Sequence, residues 1–162
     1  VAVVLVTGMS GTGKSTALAE LARRGHRVVD TDYGDWIDDV ARPDGTGAER
    51  MWREKRITAL LDGHADGALF VSGCVANQGR FYARFDAVVL LRAPVEVILE
   101  RIATRATNPF GRTPAEREAI LQDLATVEPA LRAGATVEID TRAPPGDVAD
   151  ALERIALGTT RP

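Results

Sequence analysis

The chain has 162 residues, 45% of them hydrophobic and 27% charged, and 20 Lys and Arg against 23 Asp and Glu leave a net charge of −3. That length fits one domain with a real core, and the charge provides no global positive field for nucleic acid. A single cysteine, Cys74, excludes an internal disulfide framework and fits a reducing compartment, and no run approaches the ~18 apolar residues of a membrane span. Val1–Val6 is too short for a secretion signal. The expectation is one cytoplasmic domain over residues 1–162, monomer or homodimer, partnered by neither membrane nor nucleic acid.

The elements read as follows in chain order. Val1–Val6 (VAVVLV) is apolar and β-branched, as a strand buried on both faces reads. Thr16–Arg24 has helical spacing and Gly25 stops it. His26–Val29 is a second strand, cut off by Asp30-Thr31-Asp32. Residues 42–47 (RPDGTG) form a turn-rich stretch, and Ala48–Leu61 reads as a helix with Met51, Trp52, Ile57, Leu60 and Leu61 on its apolar stripe. Ala68–Ser72 is a third strand and Ala87–Leu91 a fourth, with Pro94 opening a helix to about Thr104. Thr113-Pro114-Ala115-Glu116 is a capping box before a long helix to Arg132. Thr136–Ile139 is a fifth strand and about Pro145–Leu157 a last helix. Strands alternating with helices mean βαβ units: an α/β three-layer sandwich on a five-stranded parallel sheet.

The chemistry begins at Gly8-Met9-Ser10-Gly11-Thr12-Gly13-Lys14-Ser15, which fits G-x-x-x-x-G-K-[ST], the Walker A pattern or P-loop. Its glycines let successive amides turn inward on an anion, and the helix after it adds the positive end of its dipole. In this pattern Gly11, Thr12, Gly13 and Thr16 cradle a nucleotide, Lys14 reaches the β- and γ-phosphates, and the Ser15 hydroxyl ligates Mg²⁺. An apolar strand before and an amphipathic helix after it supply the context the motif requires.

No N-K-x-D occurs to read guanine, and motor or AAA-type ATPases need more chain and an acid closing strand three. Strand three here ends in Ser72-Gly73-Cys74, so the acid comes from Asp30 and Asp32, whose strand opens on the same sheet edge as the P-loop. If the chain bends between them, Asp30 helps hold Mg²⁺ through water and Asp32 orients or deprotonates an attacking hydroxyl. The alternative is a solvated acidic turn.

On these residues the chain resembles the small P-loop kinases, the group of shikimate, gluconate and nucleoside monophosphate kinases with an adenylate kinase-like fold. The resemblance implies ATP and Mg²⁺ as cofactors and a short lid over about 105–114. Val28-Val29-Asp30-Thr31-Asp32 is similar to the D-x-D of shikimate kinases, where the second Asp meets the acceptor. Glu49-Arg50-Met51-Trp52-Arg53 resembles their E-x-x-F-R helix, with Arg53 as the acceptor-gripping arginine. Pro129-Ala130-Leu131-Arg132 resembles P-L-Y-R, with Arg132 as a second one, and Ile139–Arg142 resembles the loop that closes over adenine, bringing Arg142 to the nucleotide. Val89–Arg101 looks like the strand and helix leading into the lid, which implies Arg101 against adenine. The departures are specific. Gly73–Gly79 (GCVANQG) replaces a Gly-Gly-Gly acceptor loop, Thr107–Arg112 replaces R-P-L-L, and Arg56 stands where an acid follows. The fold and the ATP chemistry therefore carry over, and shikimate as the substrate does not.

The candidate site follows. Lys14, Asp32, Arg105 and Arg112 are catalytic, the two arginines stabilising the transferring phosphoryl group; Arg101 and Arg105, four apart on a helix, have a solvated face as their plain alternative. Phe110 is a lid anchor or a packing residue. Arg53 and Arg56, three apart on one helix, converge on an anionic group or else split between interior and surface. Gly73, Asn77, Gln78 and Arg132 complete the acceptor side, the two amides suiting hydroxyls, amides or a nucleobase edge. The expected function is an ATP·Mg-dependent phosphotransferase acting on a hydroxyl or phosphate of a small molecule: a nucleotide, nucleoside, sugar acid, polyol or antibiotic. The competing readings are a regulatory ATP-binding module and a nucleic-acid end kinase.

Overall fold

The computed structural model describes residues 1–105 and 111–159. Among them, five parallel strands form one sheet in the order β2-β5-β1-β6-β7, from β1 (Ala2–Thr7), β2 (Arg27–Asp30), β5 (Ala68–Ser72), β6 (Ala87–Arg92) and β7 (Val137–Asp140). β1 sits at the centre, in register with β5 from Ala2↔Ala68 to Val6↔Ser72 and with β6 from Val4↔Ala87 to Thr7↔Leu90. Its six residues are all buried, as an apolar β-branched run covered on both faces must be.

Alternate side chains of the sheet feed two cores. Ala2, Val4, Val6, Phe70, Val89 and Leu91 pack against α1 (Lys14–Arg23) and α6 (Pro145–Thr159). Val3, Leu5, Leu69, Val71 and Val88 pack on the other face, against Trp52 and α2 (Glu54–Asp62), with Phe81 of a 3-10 helix, Gln78–Arg84. α3 (Val95–Thr104) meets α4 (Pro114–Thr126) through Ile98, Ile102 and Ile120, and α5 (Glu128–Gly134) covers Met9 and Leu90 with Leu131. This is the three-layer sandwich that the alternating pattern implies. No helix among the described residues is long and apolar enough to cross a membrane.

Two expectations fail. Residues 48–52 are not helical: β3 (Ile37–Ala41) and β4 (Ala48–Trp52) form an antiparallel hairpin, paired from Ile37↔Trp52 to Ala41↔Ala48. The turn at residues 42–47 closes through Arg42 N–H donating to Gly47 O at 2.8 Å, with Asp44 accepting from Thr46 and Gly45 at φ 76°. Pairing with the preceding strand outweighs the helical propensity of Ala-Glu-Arg-Met-Trp, and α2 starts only after Arg53. The long helix to Arg132 is also interrupted. α4 ends at Thr126 because Pro129 has no N–H to continue the ladder and its ring would crowd the carbonyl four residues back. The Thr113–Glu116 capping box forms in both directions.

The chain bends between Asp30 and Asp32, as a shared site requires. Tyr33 N–H donates to Asp30 O at 3.2 Å, and Thr31 turns inward, its hydroxyl donating to Ser72 O at 2.7 Å and accepting from Trp52 Nε1 at 2.9 Å. Thr31→Val keeps the shape but strands the Trp52 indole N–H, so it should cost about 1–3 kcal/mol of stability, read by urea denaturation.

Candidate active site

The P-loop joins β1 to α1 at the C-terminal edge of the sheet. Gly13 precedes the helix at φ 96°, and Gly11 adopts φ 82° where a side chain would press on Ile98 and Ile102 at 3.1 Å. No side chain caps α1, which leaves its first N–H groups for an anion. Thr12 Oγ1 donates to Met9 O at 2.7 Å, which shapes the loop. Lys14 Nζ donates to Gly8 O at 2.6 Å and Met9 O at 3.1 Å, stretching along the loop's concave side. Burial pushes its ammonium below the usual lysine range, opposed by the charges of Cys74, Asp32 and Asp30.

Ser15 Oγ donates to Asp30 Oδ2 at 2.6 Å, so two hard oxygens meet at the head of α1. Among the described residues no three His, Cys, Asp or Glu side chains cluster as a metal cage. That suits Mg²⁺, which keeps several waters and takes one or two protein oxygens plus substrate phosphates. The donor set fits the ion.

An open cavity of about 1120 Å³ runs from this edge, lined by the P-loop, Thr16, Asp32, Arg101 and Arg105. Arg101 donates to Gly11 O at 3.3 Å and to Thr141 Oγ1 at 2.9 Å, tying the P-loop to the loop after β7. Arg105 donates to Ser10 Oγ at 3.2 Å, and Arg112 donates to Arg105 O. Burial, then the charge of Arg112, holds the Arg105 guanidinium below its usual range. Phe110 and the rest of the expected lid between Arg105 and Gly111 lie outside the described residues.

The residues expected to bind the acceptor, and Arg142 expected at the nucleotide, are placed away from the cavity or within the scaffold. Arg53 pairs with Asp38 at 2.9 Å; Arg56 reaches Asp35 at 3.9 Å and stacks on Trp36 at 4.1 Å. Arg132 pairs with Glu138 at 2.8 Å beside a second groove, and Arg142 with Asp140 at 2.6 Å. None of the four lines the cavity. Asn77 and Gln78 are buried in the scaffold. Asn77 accepts from Trp52 N–H at 2.8 Å and donates to Trp52 O at 3.0 Å, while Gln78 accepts from Val75 N–H at 2.9 Å and donates to Thr7 Oγ1 and Tyr82 Oη, each at 3.0 Å. Gly73 is a close-packing residue: a Cβ there would lie 2.5 Å from Thr31 Oγ1 and 3.0 Å from the Trp52 ring.

In their place the hairpin arm brings Arg42, Glu49 and Arg50 to the cavity, opposite Cys74, Val75 and Ala76, with Asp123 and Val127 beyond. Arg50 Nη2 lies 3.4 Å from Asp32 Oδ1, and Arg42 lies 3.6 Å from Glu49. A helix over Ala48–Leu61 gives Glu49 and Arg50 no route to this edge, and Arg42 reads as part of a turn; Asp44-Gly45, a hairpin turn signal, is the sequence feature that points to the hairpin. Burial pushes the Cys74 thiol up, opposed by Lys14, so the cavity's one cysteine is a poor nucleophile.

A family model described as AAA domain matches residues 4–122. The chain belongs to the AAA domain family. That match is consistent with the small P-loop kinase group the sequence resembles, and β5 ends without an acid. No curated protein matches the chain. Solved structures do. The shikimate kinase of Acinetobacter baumannii in complex with shikimate is similar at 21% identity and TM-score 0.67, covering 100% of this chain and 96% of that one. A shikimate kinase of Bacteroides thetaiotaomicron matches at 15% identity and TM-score 0.64, over 95% and 97%. A sugar kinase of a Janibacter species matches at 17% identity and TM-score 0.51, over 99% of both chains. The fold is that of the small P-loop kinases.

Replacing Asn77 by Ala separates scaffold from substrate contact. It strands a buried N–H and C=O of Trp52, so stability should fall by about 2–4 kcal/mol in chemical denaturation.

Proposed function

We propose that this protein is an ATP- and Mg²⁺-dependent kinase that phosphorylates a hydroxyl of a small-molecule acceptor. The observation that carries the reading is the Ser15–Asp30 hydrogen bond beside Lys14, with Asp32 facing the same cavity. A bare nucleotide-binding module has no need of the second acid.

In this reading the P-loop amides and Lys14 hold the β- and γ-phosphates, and Arg101 and Arg105 close the nucleotide side. Mg²⁺, taken up at Ser15 and Asp30, supplies charge neutralisation on the phosphate oxygens. Asp32 accepts the hydrogen bond of the acceptor hydroxyl and lines up its oxygen with the γ-phosphorus. The new bond joins that oxygen to phosphorus as the bridging P–O bond to ADP breaks, and the hydroxyl proton passes to the Asp32 carboxylate. Arg50 steadies that carboxylate from the hairpin.

The charge pattern narrows the acceptor. The arginines expected to grip an anion are paired off away from the cavity, and Arg42 and Arg50, which do face it, are matched by Glu49 and Asp32. An acceptor phosphate or carboxylate would meet no surplus positive charge there. Uncharged or amine-bearing polyhydroxyl compounds suit the cavity better: nucleosides, polyols, sugars or aminoglycosides.

The test is acceptor-dependent ADP release across nucleosides, nucleoside monophosphates, sugar acids, polyols and aminoglycosides. Neutral or cationic acceptors should stimulate release and anionic ones should not. Lys14→Ala should lower turnover at least about a hundredfold, and Asp32→Asn about a hundredfold to ten-thousandfold. Turnover that survives Asp32→Asn removes Asp32 as the base.

A further inference from the structure

Among the described residues three carboxylates line the cavity, and two of them have counter-ions: Asp32 is met by Arg50 and Glu49 by Arg42. The third, Asp123, has neither an ion pair nor a side-chain hydrogen bond among the described residues. The cavity's other cations are engaged elsewhere. Lys14, Arg101 and Arg105 each hold an atom of the P-loop, on the nucleotide side.

The place of Asp123 in the fold makes that imbalance sharper. It stands in the last turn of α4, where the helix's outer carbonyls already carry partial negative charge and a cation is the favoured side chain. That turn holds no basic residue. Glu128, the next acid along the chain, is matched by Arg132 at 3.9 Å, so the deficit is confined to Asp123. Asp123, Val127 and Leu131 follow one another at four-residue spacing, and all three line the cavity. The break between α4 and α5 does not disturb this line: Val127 N–H donates to Asp123 O at 2.7 Å and Leu131 N–H to Val127 O at 3.1 Å. Leu131 packs in one cluster with Met9 and Cys74. Cys74 follows β5, which lies between β1 and β2, so this apolar stripe with a carboxylate at its end borders the Asp32 half of the cavity.

We propose that Asp123 determines the acceptor class: its carboxylate binds an ammonium group of an amine-bearing polyhydroxyl compound, while Asp32 holds the hydroxyl to be phosphorylated. The inference rests on the reading of this half of the cavity as the acceptor site. An ammonium there offsets both the carboxylate and the negative end of α4, and the carbon skeleton lies along Val127. An uncharged sugar leaves Asp123 to water. An acid meets repulsion from Asp123 and no surplus cation on the hairpin arm. Because Asp123 is exposed, solvent takes part of the gain, and the amine is worth about five- to tenfold in affinity.

The experiment measures binding by calorimetry to the full chain loaded with ADP and Mg²⁺, comparing the natural protein with Asp123→Asn and Asp123→Lys. Glucosamine and kanamycin are the amine-bearing probes; N-acetylglucosamine, whose amine is capped as a neutral amide, and inositol are the uncharged ones; gluconate is the acid. The natural protein should favour the amines. Asp123→Asn should weaken them about five- to tenfold and bind the uncharged probes as before. Asp123→Lys should weaken the amines further and admit gluconate. Affinity for ADP should be alike in all three proteins, and Asp123→Asn should melt at or above the natural temperature, since a carboxylate has left a helix C-terminus. No preference for amines in the natural protein overturns the proposal, as does an equal loss of charged and uncharged probes in Asp123→Asn. A loss confined to ADP overturns it too, because Asp123 then serves the nucleotide. ADP release with the same probes keeps the two readings apart. Asp123-dependent amine binding without turnover above the Lys14→Ala blank sinks the kinase reading and leaves this one standing; turnover with uncharged acceptors and no amine preference does the reverse.

Discussion

The site depends on one constraint: β1 lies between β5 and β6 in a parallel sheet, so strand ends that are far apart in sequence open on one edge. The P-loop leaves β1, Asp30 and Asp32 leave β2, Ser72 closes β5, and Thr141 follows β7. Each sits there because parallel strands joined by crossover helices must run the same way. Slipping β5 against β1 by one residue would turn Ser72 to the opposite face and bury Val71 against α1 instead. The two apolar cores, one on each face, hold the register that the chemistry needs.

Around that edge, charged side chains are divided by their partners. Lys14 alone among the basic residues of the P-loop region is buried, and it leans on carbonyls of its own loop. Its desolvation makes an arriving phosphate a better partner than the carbonyls, since an anion restores the stabilisation that water would have supplied. The outer arginines are matched to nearby carboxylates, as exposed charges of this sort usually are, and such pairs contribute little to stability. Their consequence is for specificity. Whatever enters beside Asp32 meets a charge-balanced wall on the hairpin arm.

The hairpin is where local propensity was overruled. Ala48–Trp52 has the residues of a helix, yet it pairs with Ile37–Ala41, and Trp52 is drawn into the core by Thr31 and Asn77. That anchoring consumes the side chains of Asn77 and Thr31, while Gln78 is held by Val75, Thr7 and Tyr82. A polar group that looks available in a sequence is bound to the scaffold once the backbone N–H and C=O of a buried strand end must be satisfied.

The sequence by itself determined the local features: the apolar strands, the P-loop with its required glycines, and the capping box at Thr113. Each rests on neighbours in the chain, through backbone sterics, periodicity or a three-residue hydrogen bond. Tertiary structure decided which face of the sheet Ser72 occupies, which arginines reach the cavity, and that residues 48–52 form a strand. Those outcomes depend on partners outside the segment itself, and the energy of an ion pair or a strand pairing is absent from the segment that makes only half of it. Hence the P-loop was legible within its own segment, while the hairpin residues that line the cavity became visible only when the hairpin closed.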